Sequence, residues 1–195
     1  LDRGSKLAEL QGEKSYAQQW RTVAEDIKAD ILTNGVDSRG VLTQRYGDGA
    51  LDASLLLAVL TRFLPADDPR IRATVMAIAE ELTEDGLVLR YRVEETDDGL
   101  SGEEGSFTIC SFWLVSALVE IGEVSRARHL CERLLSFASP LHLYAEEIEP
   151  RTGRHLGNFP QAFTHLALIN AVVHVIRAEE EADSTGVFQP ANAPM

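Results

Sequence analysis

Two kinds of helix alternate along this chain, and the alternation constrains the fold more than any other feature. Amphipathic helices, each with one apolar stripe and a charged opposite side, are predicted near residues 15–34, 69–82 and 124–134. Segments that are apolar on nearly every side lie at 51–60, 107–119 and 161–176. A helix that is apolar all round must be enclosed by other helices. The sequence therefore predicts an all-α fold in which amphipathic helices surround enclosed ones.

The connections between these helices are unequal in length. They are short after the enclosed helices and long before them, at 33–49, 84–106 and 138–160. Helices that run up and down as hairpins bring the three long loops to one face, which is where functional residues are usually carried. A solenoid of helical repeats would also stack hairpins, but with a fixed period and short turns. The long, dissimilar loops favour a ring of hairpins.

One domain accounts for most of the chain. We assign residues 1–181 to this domain and the polar, proline-bearing residues 182–195 to a flexible tail. The opening residues resemble a helix already under way, which indicates a piece of a longer protein. The two cysteines, Cys110 and Cys131, are too few for a disulfide framework.

The charge of the chain narrows its partners. Its 18 Lys and Arg residues against 31 Asp and Glu residues give a net charge of −13. Such a chain repels phosphate backbones and anionic lipid, so we expect neither a nucleic acid nor a membrane as partner. No motif for a metal or cofactor is present, so we expect neither a metal nor a cofactor. We also expect a cytoplasmic location.

The third long loop contains a cluster of carboxylates. Glu146, Glu147 and Glu149 lie beside Tyr144 and ahead of a Gly-Asn-Phe-Pro sequence at 157–160. A carboxylate placed beside a reacting bond can activate a water molecule, so this cluster is a candidate acid/base site. The alternative, in a protein this acidic, is a solvated acidic loop.

The second long loop has the composition of a sugar-binding segment. Arg90, Tyr91 and Arg92 are followed by several carboxylates, among them Glu104. Planar donors and acceptors beside an aromatic ring suit the hydroxyl-rich face of a sugar. A surface loop with ordinary ion pairs is the alternative.

Three motifs, in order along residues 1–177, resemble glycoside hydrolase family fifteen, the glucoamylase family with its bacterial and archaeal trehalases. They are YGD (46–48) with LDASLL (51–56), EGSF (104–107) with CSFWLV (110–115), and AEE (145–147) with GNFPQAFTH (157–165). The resemblance implies an (α/α)6 toroid of helical hairpins, of which this chain would be about the C-terminal half.

The resemblance also implies a chemistry. The family cleaves α-glucosidic bonds with inversion, using two carboxyl groups about 6.5–9.5 Å apart. By motif position Glu146 matches the general base, with Glu147 as the adjacent rival, and Arg90 matches a residue that binds sugar hydroxyls. Arg92, Glu104 and Trp113 are expected to support the pocket. The family's general acid lies upstream of this chain, so no residue here receives that role.

The implied partners are an α-glucoside or oligosaccharide substrate, of trehalose or maltooligosaccharide type, and the remaining N-terminal half of the parent protein. Uncovered inner helices of a half-ring would also favour a homo-oligomer.

Two other functions stay open. One is a non-catalytic helical-hairpin module that binds a protein or a sugar. The other is a related disaccharide phosphorylase, for which Arg151, Arg154 and His155 could supply a phosphate pocket.

Overall fold

The fold is a set of helical hairpins, which a computed structural model describes for residues 1–92 and 106–184. The helices are α1 (Asp2–Leu10), α2 (Lys14–Asn34), α3 (Leu57–Leu60), α4 (Pro69–Glu81), α5 (Thr108–Glu120), α6 (Val124–Leu135) and α7 (Ala162–Ser184). A 3₁₀ turn at Ala53–Leu56 leads directly into α3. The predicted all-α class is confirmed, with little strand in the part of the chain that is described.

Helix α5 is the central element. It packs against α3, α4, α6 and α7, and its residues are apolar on nearly every side. Phe112, Val115 and Ala117 have no exposed surface. The prediction of an enclosed helix at 107–119 is therefore confirmed from residue 108 onward for most of its sides, while Ile109, Trp113 and Val119 are only partly buried.

Helices α4 and α6 are the amphipathic partners of this core. Each buries a single stripe at helical spacing, with Ile71, Val75 and Ile78 on α4 and Cys131 and Leu134 on α6. Charged side chains occupy the opposite sides, as the periodicity predicts.

The start of α4 shows how the sequence sets a helix boundary. Asp68 is the N-cap residue and Pro69 occupies the first turn. The Asp68 carboxylate accepts hydrogen bonds from the Arg70 backbone N–H at 2.9 Å and from the Arg70 guanidinium at 2.7 Å. The Arg70 guanidinium lowers the pKa of Asp68 below its usual value. An acceptor at the N-cap with proline just inside the helix is a strong start signal.

The apolar segment at 51–60 differs from the single helix that its sequence predicts. Asp52 accepts a hydrogen bond from the Ser54 N–H at 2.7 Å, and the Ala53 N–H donates to the Arg90 carbonyl at 2.7 Å. These bonds give a 3₁₀ turn before α3, and α3 ends two residues before Arg62, which has a positive φ of 64°. The segment is still buried, with Leu56 and Val59 in the core.

Five two-residue strands supplement the helices in the described ranges. Thr83–Glu84 (β1) pairs with Leu87–Val88 (β2) as an antiparallel hairpin. Ser106–Phe107 (β3), Glu147–Ile148 (β4) and His155–Leu156 (β5) form a second antiparallel sheet in the order β3-β4-β5. This small sheet joins the second and third long loops.

Helix α7 has an apolar face without a partner among the described residues. Phe163 is 66% exposed, Leu166 58% and Ile169 59%, and these positions share one side of the helix. Tyr16 and Ile27 on α2 are also exposed. The expected full enclosure of the 161–176 segment is therefore not reached within this chain, whereas the uncovered inner faces expected of a half-ring are present.

The end of α7 bears on the predicted domain boundary. The helix continues to Ser184, three residues beyond the predicted end of the domain at 181. Residues 185–195 lie outside the described part of the chain, so the flexible tail stays a prediction. None of the described helices combines the length and the apolar character needed to cross a membrane.

Candidate active site

Residues from all three long loops, or from the helix starts that follow them, line one cavity of about 250 Å³. Its lining residues are Asp52, Ser54, Arg90, Phe107, Ile109, Cys110, Trp113, Glu146, Gln161, Phe163 and Thr164. The first loop leads into Asp52, the second contains Arg90 and the third contains Glu146. The expectation that the long loops converge therefore agrees with where the structure places these residues.

Hydrogen bonds fix the third loop against α5 and the start of α7. The Thr108 N–H at the start of α5 donates to the Glu146 carbonyl at 2.9 Å. The Gln161 N–H donates to the Tyr144 carbonyl at 2.9 Å, and the buried Thr164 hydroxyl donates to the Ala145 carbonyl at 3.2 Å. The chain on either side of Glu146 is thus tied to α5 and α7.

Glu146 itself is held by Asn158. The Glu146 N–H donates to the Asn158 carbonyl at 2.9 Å. In return, Oε2 of Glu146 accepts from the Asn158 backbone N–H at 3.2 Å and from Asn158 Nδ2 at 2.9 Å. The carboxylate is half-buried at the wall of the cavity.

The neighbouring carboxylate lies elsewhere. Glu147 is the first residue of β4 and pairs in register with Phe107 of β3 and Leu156 of β5. Successive side chains of an extended chain point to opposite sides, and Glu147 is not among the described residues that line the cavity. Of the two rival bases, Glu146 is the one that the cavity contains.

The other predicted site residues divide into three groups. Arg90 and Trp113 line the cavity, and the Arg90 guanidinium lies 5.4 Å from the centre of the Tyr91 ring. Arg92 donates to the Glu81 carbonyl at the end of α4 and does not line the cavity. Glu104 lies outside the described residues.

Among the other lining residues, Asp52 and Cys110 lie within the quoted motifs but were not proposed as site residues. Asp52 is 8% exposed and caps the 3₁₀ turn, and Cys110 is buried beside it on α5. Burial raises the pKa of the Cys110 thiol to about 12, with a further contribution from the negative charge of Asp52. The signal for Asp52 in the sequence was a carboxylate inside an otherwise apolar segment, because an Asp is seldom buried without a hydrogen-bond partner or a role at a functional site.

An aromatic cluster supports the loop from behind. The buried Tyr144 hydroxyl donates to the Leu134 carbonyl at 3.1 Å, and burial raises its pKa to about 12. His155 stacks on Tyr144 and bonds through Nε2 to the Phe137 carbonyl at 2.8 Å. The Tyr144 N–H bonds to Nε2 of His165 at 3.3 Å, so this histidine has a structural partner.

The residues suggested for a phosphate pocket are not in the cavity. Arg151 pairs with Glu149 at 3.4 Å and is exposed, and Arg154 is exposed as well. His155 is engaged with the Phe137 carbonyl. Across the described ranges, no group of three His, Cys, Asp or Glu side chains could hold a metal ion.

The fold is that of a known class of enzymes. A solved structure titled "Glycosidase Wild Type" superposes with a TM-score of 0.70 at 22% identity, over 82% of this chain and 45% of that one. A glycosidase variant in complex with glucose superposes equally well, with the same coverage. The helical hairpins described above are thus those of the toroid glycosidases.

Sequence comparison gives the family. Glycosyl hydrolases family 15 matches residues 1–173, and the chain belongs to this family. Proteins named "Trehalase" from Mycolicibacterium smegmatis and Mycobacterium tuberculosis are 92% and 87% identical over all 195 residues. A "Trehalase" from Thermoplasma volcanium is 38% identical over 171 residues, 87% of this chain. The chain spans only 29%, 29% and 27% of the length of these relatives.

Proposed function

We propose that this chain supplies the general base of an inverting glycoside hydrolase that cleaves α-glucosidic bonds, and that the whole protein acts on trehalose. The observation that carries the proposal is the position of Glu146, a carboxylate in the wall of the cavity that also contains Arg90 and Trp113. The names of the relatives at 92% and 87% identity favour trehalose over maltooligosaccharides.

The proposed chemistry gives each residue one task. Glu146 takes a proton from a water molecule as that water attacks the anomeric carbon, on the face opposite the leaving oxygen. The Arg90 guanidinium donates hydrogen bonds to sugar hydroxyls, and Trp113 offers aromatic surface to the apolar face of the ring. The general acid that protonates the leaving oxygen lies outside this chain.

The remaining half of the protein is the proposed partner of the uncovered helix faces. Phe163, Leu166 and Ile169 form an apolar stripe on α7, and Phe163 also lines the cavity. A segment packed on this stripe would close the cavity on that side and could bring the acid to it. A second copy of the chain on the same stripe is the alternative occupant.

Glu146→Gln in the full-length protein tests the base. Glutamine keeps the shape of the side chain but cannot accept the proton, so we expect kcat for trehalose to fall about 100- to 10,000-fold. Glu147→Gln is the matched control, one residue away and outside the cavity lining, and should keep kcat within about 10-fold. Comparable losses in both variants, or none in Glu146→Gln, would overturn the assignment.

The anomers of the products test inversion. Each trehalose contains two α-linked glucose units, so inversion at one centre releases one β-glucose and one α-glucose, whereas retention releases α-glucose alone. Proton NMR within the first minutes, before mutarotation, distinguishes the two. Maltose is the comparison substrate, and a kcat/KM for maltose equal to that for trehalose would refute the trehalose assignment.

A further inference from the structure

We propose that Asn158 is a positioning residue that fixes the orientation of the Glu146 carboxylate. This inference rests on the proposed role of Glu146 as general base. Asn158 would act through Glu146 alone, by holding one carboxylate oxygen and leaving the other to meet the attacking water.

The hydrogen bonds at this pair are asymmetric. Both the backbone N–H and the side-chain amide of Asn158 donate to the same oxygen, Oε2, at 3.2 and 2.9 Å. No residue within 1–92 or 106–184 donates to Oε1. Two N–H donors on one oxygen of a carboxylate stop it from rotating freely, and hydrogen bonds to a charged group are stronger than those between neutral groups. Oε1 is then the oxygen able to take the proton of a water.

Backbone geometry brings the donors to this place. The Glu146 N–H donates to the Asn158 carbonyl at 2.9 Å, so the two residues are bonded in both directions. Gly157, between β5 and Asn158, has a φ of 70°, in the left-handed region that favours glycine. A Cβ at Gly157 would lie 2.9 Å from Oε2 of Glu146, so the carboxylate packs directly on this glycine.

A general base depends on this kind of constraint. Misplacing a reacting group by about 1 Å can cost about 100-fold in rate. This loss raises the free energy of the transition state and does not weaken substrate binding. Removing the Asn158 side chain should therefore lower kcat and leave KM unchanged.

The experiment uses the full-length protein with trehalose and with α-glucosyl fluoride. The fluoride substrate has a leaving group that needs little protonation, so its rate reports mainly on the base. Asn158→Ala removes the side-chain donor and its volume but keeps the backbone N–H donor, and Asn158→Asp keeps the shape but replaces the donor with a carboxylate that repels Glu146. Asn34→Ala is the matched control, because Asn34 is an exposed asparagine bonded to Asp30 at the end of α2.

We expect Asn158→Ala and Asn158→Asp each to lower kcat about 10- to 100-fold with KM within about two-fold, and Asn34→Ala to keep the wild-type kcat. The decisive measurement is the double variant Glu146→Gln/Asn158→Ala. A residue that acts only through Glu146 should lower kcat no further once the base is gone.

The outcomes separate this inference from the proposed function. If Glu146→Gln lowers kcat and the Asn158 variants do not, the positioning role is wrong and the base assignment stands. A raised KM, or full additivity in the double variant, would show that Asn158 acts independently of Glu146 and would also overturn the inference. A wild-type rate in Glu146→Gln would overturn both. Loss of thermal stability in Asn158→Ala with normal kcat in Asn158→Asp would indicate a packing role only.

Discussion

Gly157→Ala should lower kcat in addition to destabilising the fold. An alanine Cβ would lie 2.9 Å from Oε2 and 3.1 Å from Cβ of Glu146, where an ordinary contact is 3.4 Å or more. The carboxylate must therefore move by about 0.5 Å or rotate away from Asn158. Since a misplacement of about 1 Å can cost about 100-fold, we expect kcat to fall about 10-fold, or about 1.4 kcal/mol of transition-state stabilisation.

Gly153→Ala is the matched control for this prediction. Gly153 lies in the same loop and has the same φ of 70°, but a Cβ there would meet only the Phe137 ring at 3.4 Å. Both alanines should destabilise the fold by roughly 1–2 kcal/mol, because an L-residue is strained in the left-handed region. Only Gly157→Ala should also lower kcat.

The assay compares kcat and thermal unfolding of both variants in the full-length protein. An equal loss of kcat in the two variants would assign the effect to backbone strain. Wild-type kcat in Gly157→Ala, with the variant fully folded, would refute the idea that activity depends on the carboxylate position seen in this structure.

Three further predictions concern the 195-residue chain itself. Purified alone, it should not hydrolyse trehalose or maltose, because the general acid is proposed to lie outside this chain; glucose release measures this. Asp68→Ala should destabilise the chain by about 1 kcal/mol at pH 7, as measured by urea titration, because the α4 cap is lost. The destabilisation should be smaller near pH 2. The pKa of Asp68 is lowered in the folded state, so the stability that its carboxylate contributes is lost as pH falls through that pKa. Cys110 and Cys131 should react with a thiol reagent at pH 8 at least 100-fold more slowly than in urea, since both are buried and burial raises the pKa of each thiol.

Each of these predictions has a result that contradicts it. Turnover by the isolated chain that disappears in Glu146→Gln would show that a second carboxyl group is present within it. An Asp68→Ala deficit that grows on acidification would reverse the expected sign. Rapid labelling of Cys110 in the folded chain would mean that the cavity opens to reagents of that size.

The helical part of the fold could be predicted from the sequence because it follows from periodicity. Helix α5 has no polar side, so only a position at the centre of the fold buries its apolar surface. Helices α4 and α6 each have one apolar stripe that packs against α5. The start of α4 could be predicted because Asp is a favoured N-cap residue and Pro a favoured first helical residue, here Asp68 and Pro69. The apolar face of α7 was predicted to be buried, but burial depends on neighbours, and this chain contains no neighbour for it among the described residues.

The β1–β2 hairpin had a signal in the sequence that was not used. Asp85 and Gly86, at its turn, both have positive φ, of 49° and 82°. Asp-Gly is a favoured pair for a two-residue turn with both central residues in that region. The short strands around it were too brief to show alternation, whereas the turn residues alone would have located the hairpin.

The candidate site was predictable in its residue types but not in its contacts. Glu146 and Arg90 could be selected by motif, and both line the cavity. The pairing of Glu146 with Asn158 joins residues twelve positions apart in an irregular loop, where no period relates them. Arg92 was expected to support the pocket, yet it donates to the Glu81 carbonyl at the end of α4. The sequence could not predict this, because nothing in it distinguishes a cation that caps a helix from one that binds a ligand.

The register of β4 determines which of two adjacent carboxylates enters the cavity. Glu147 pairs with Phe107 on one side and Leu156 on the other, which leaves Glu146 at the cavity wall. A slip of one residue along these neighbours would reverse the side to which every β4 side chain points, and so exchange the two acids. An insertion of one uncharged residue in this strand would then keep the net charge of the loop while removing the Glu146 carboxylate from the cavity wall. The alignment of a two-residue strand is in this sense a chemical property of the protein.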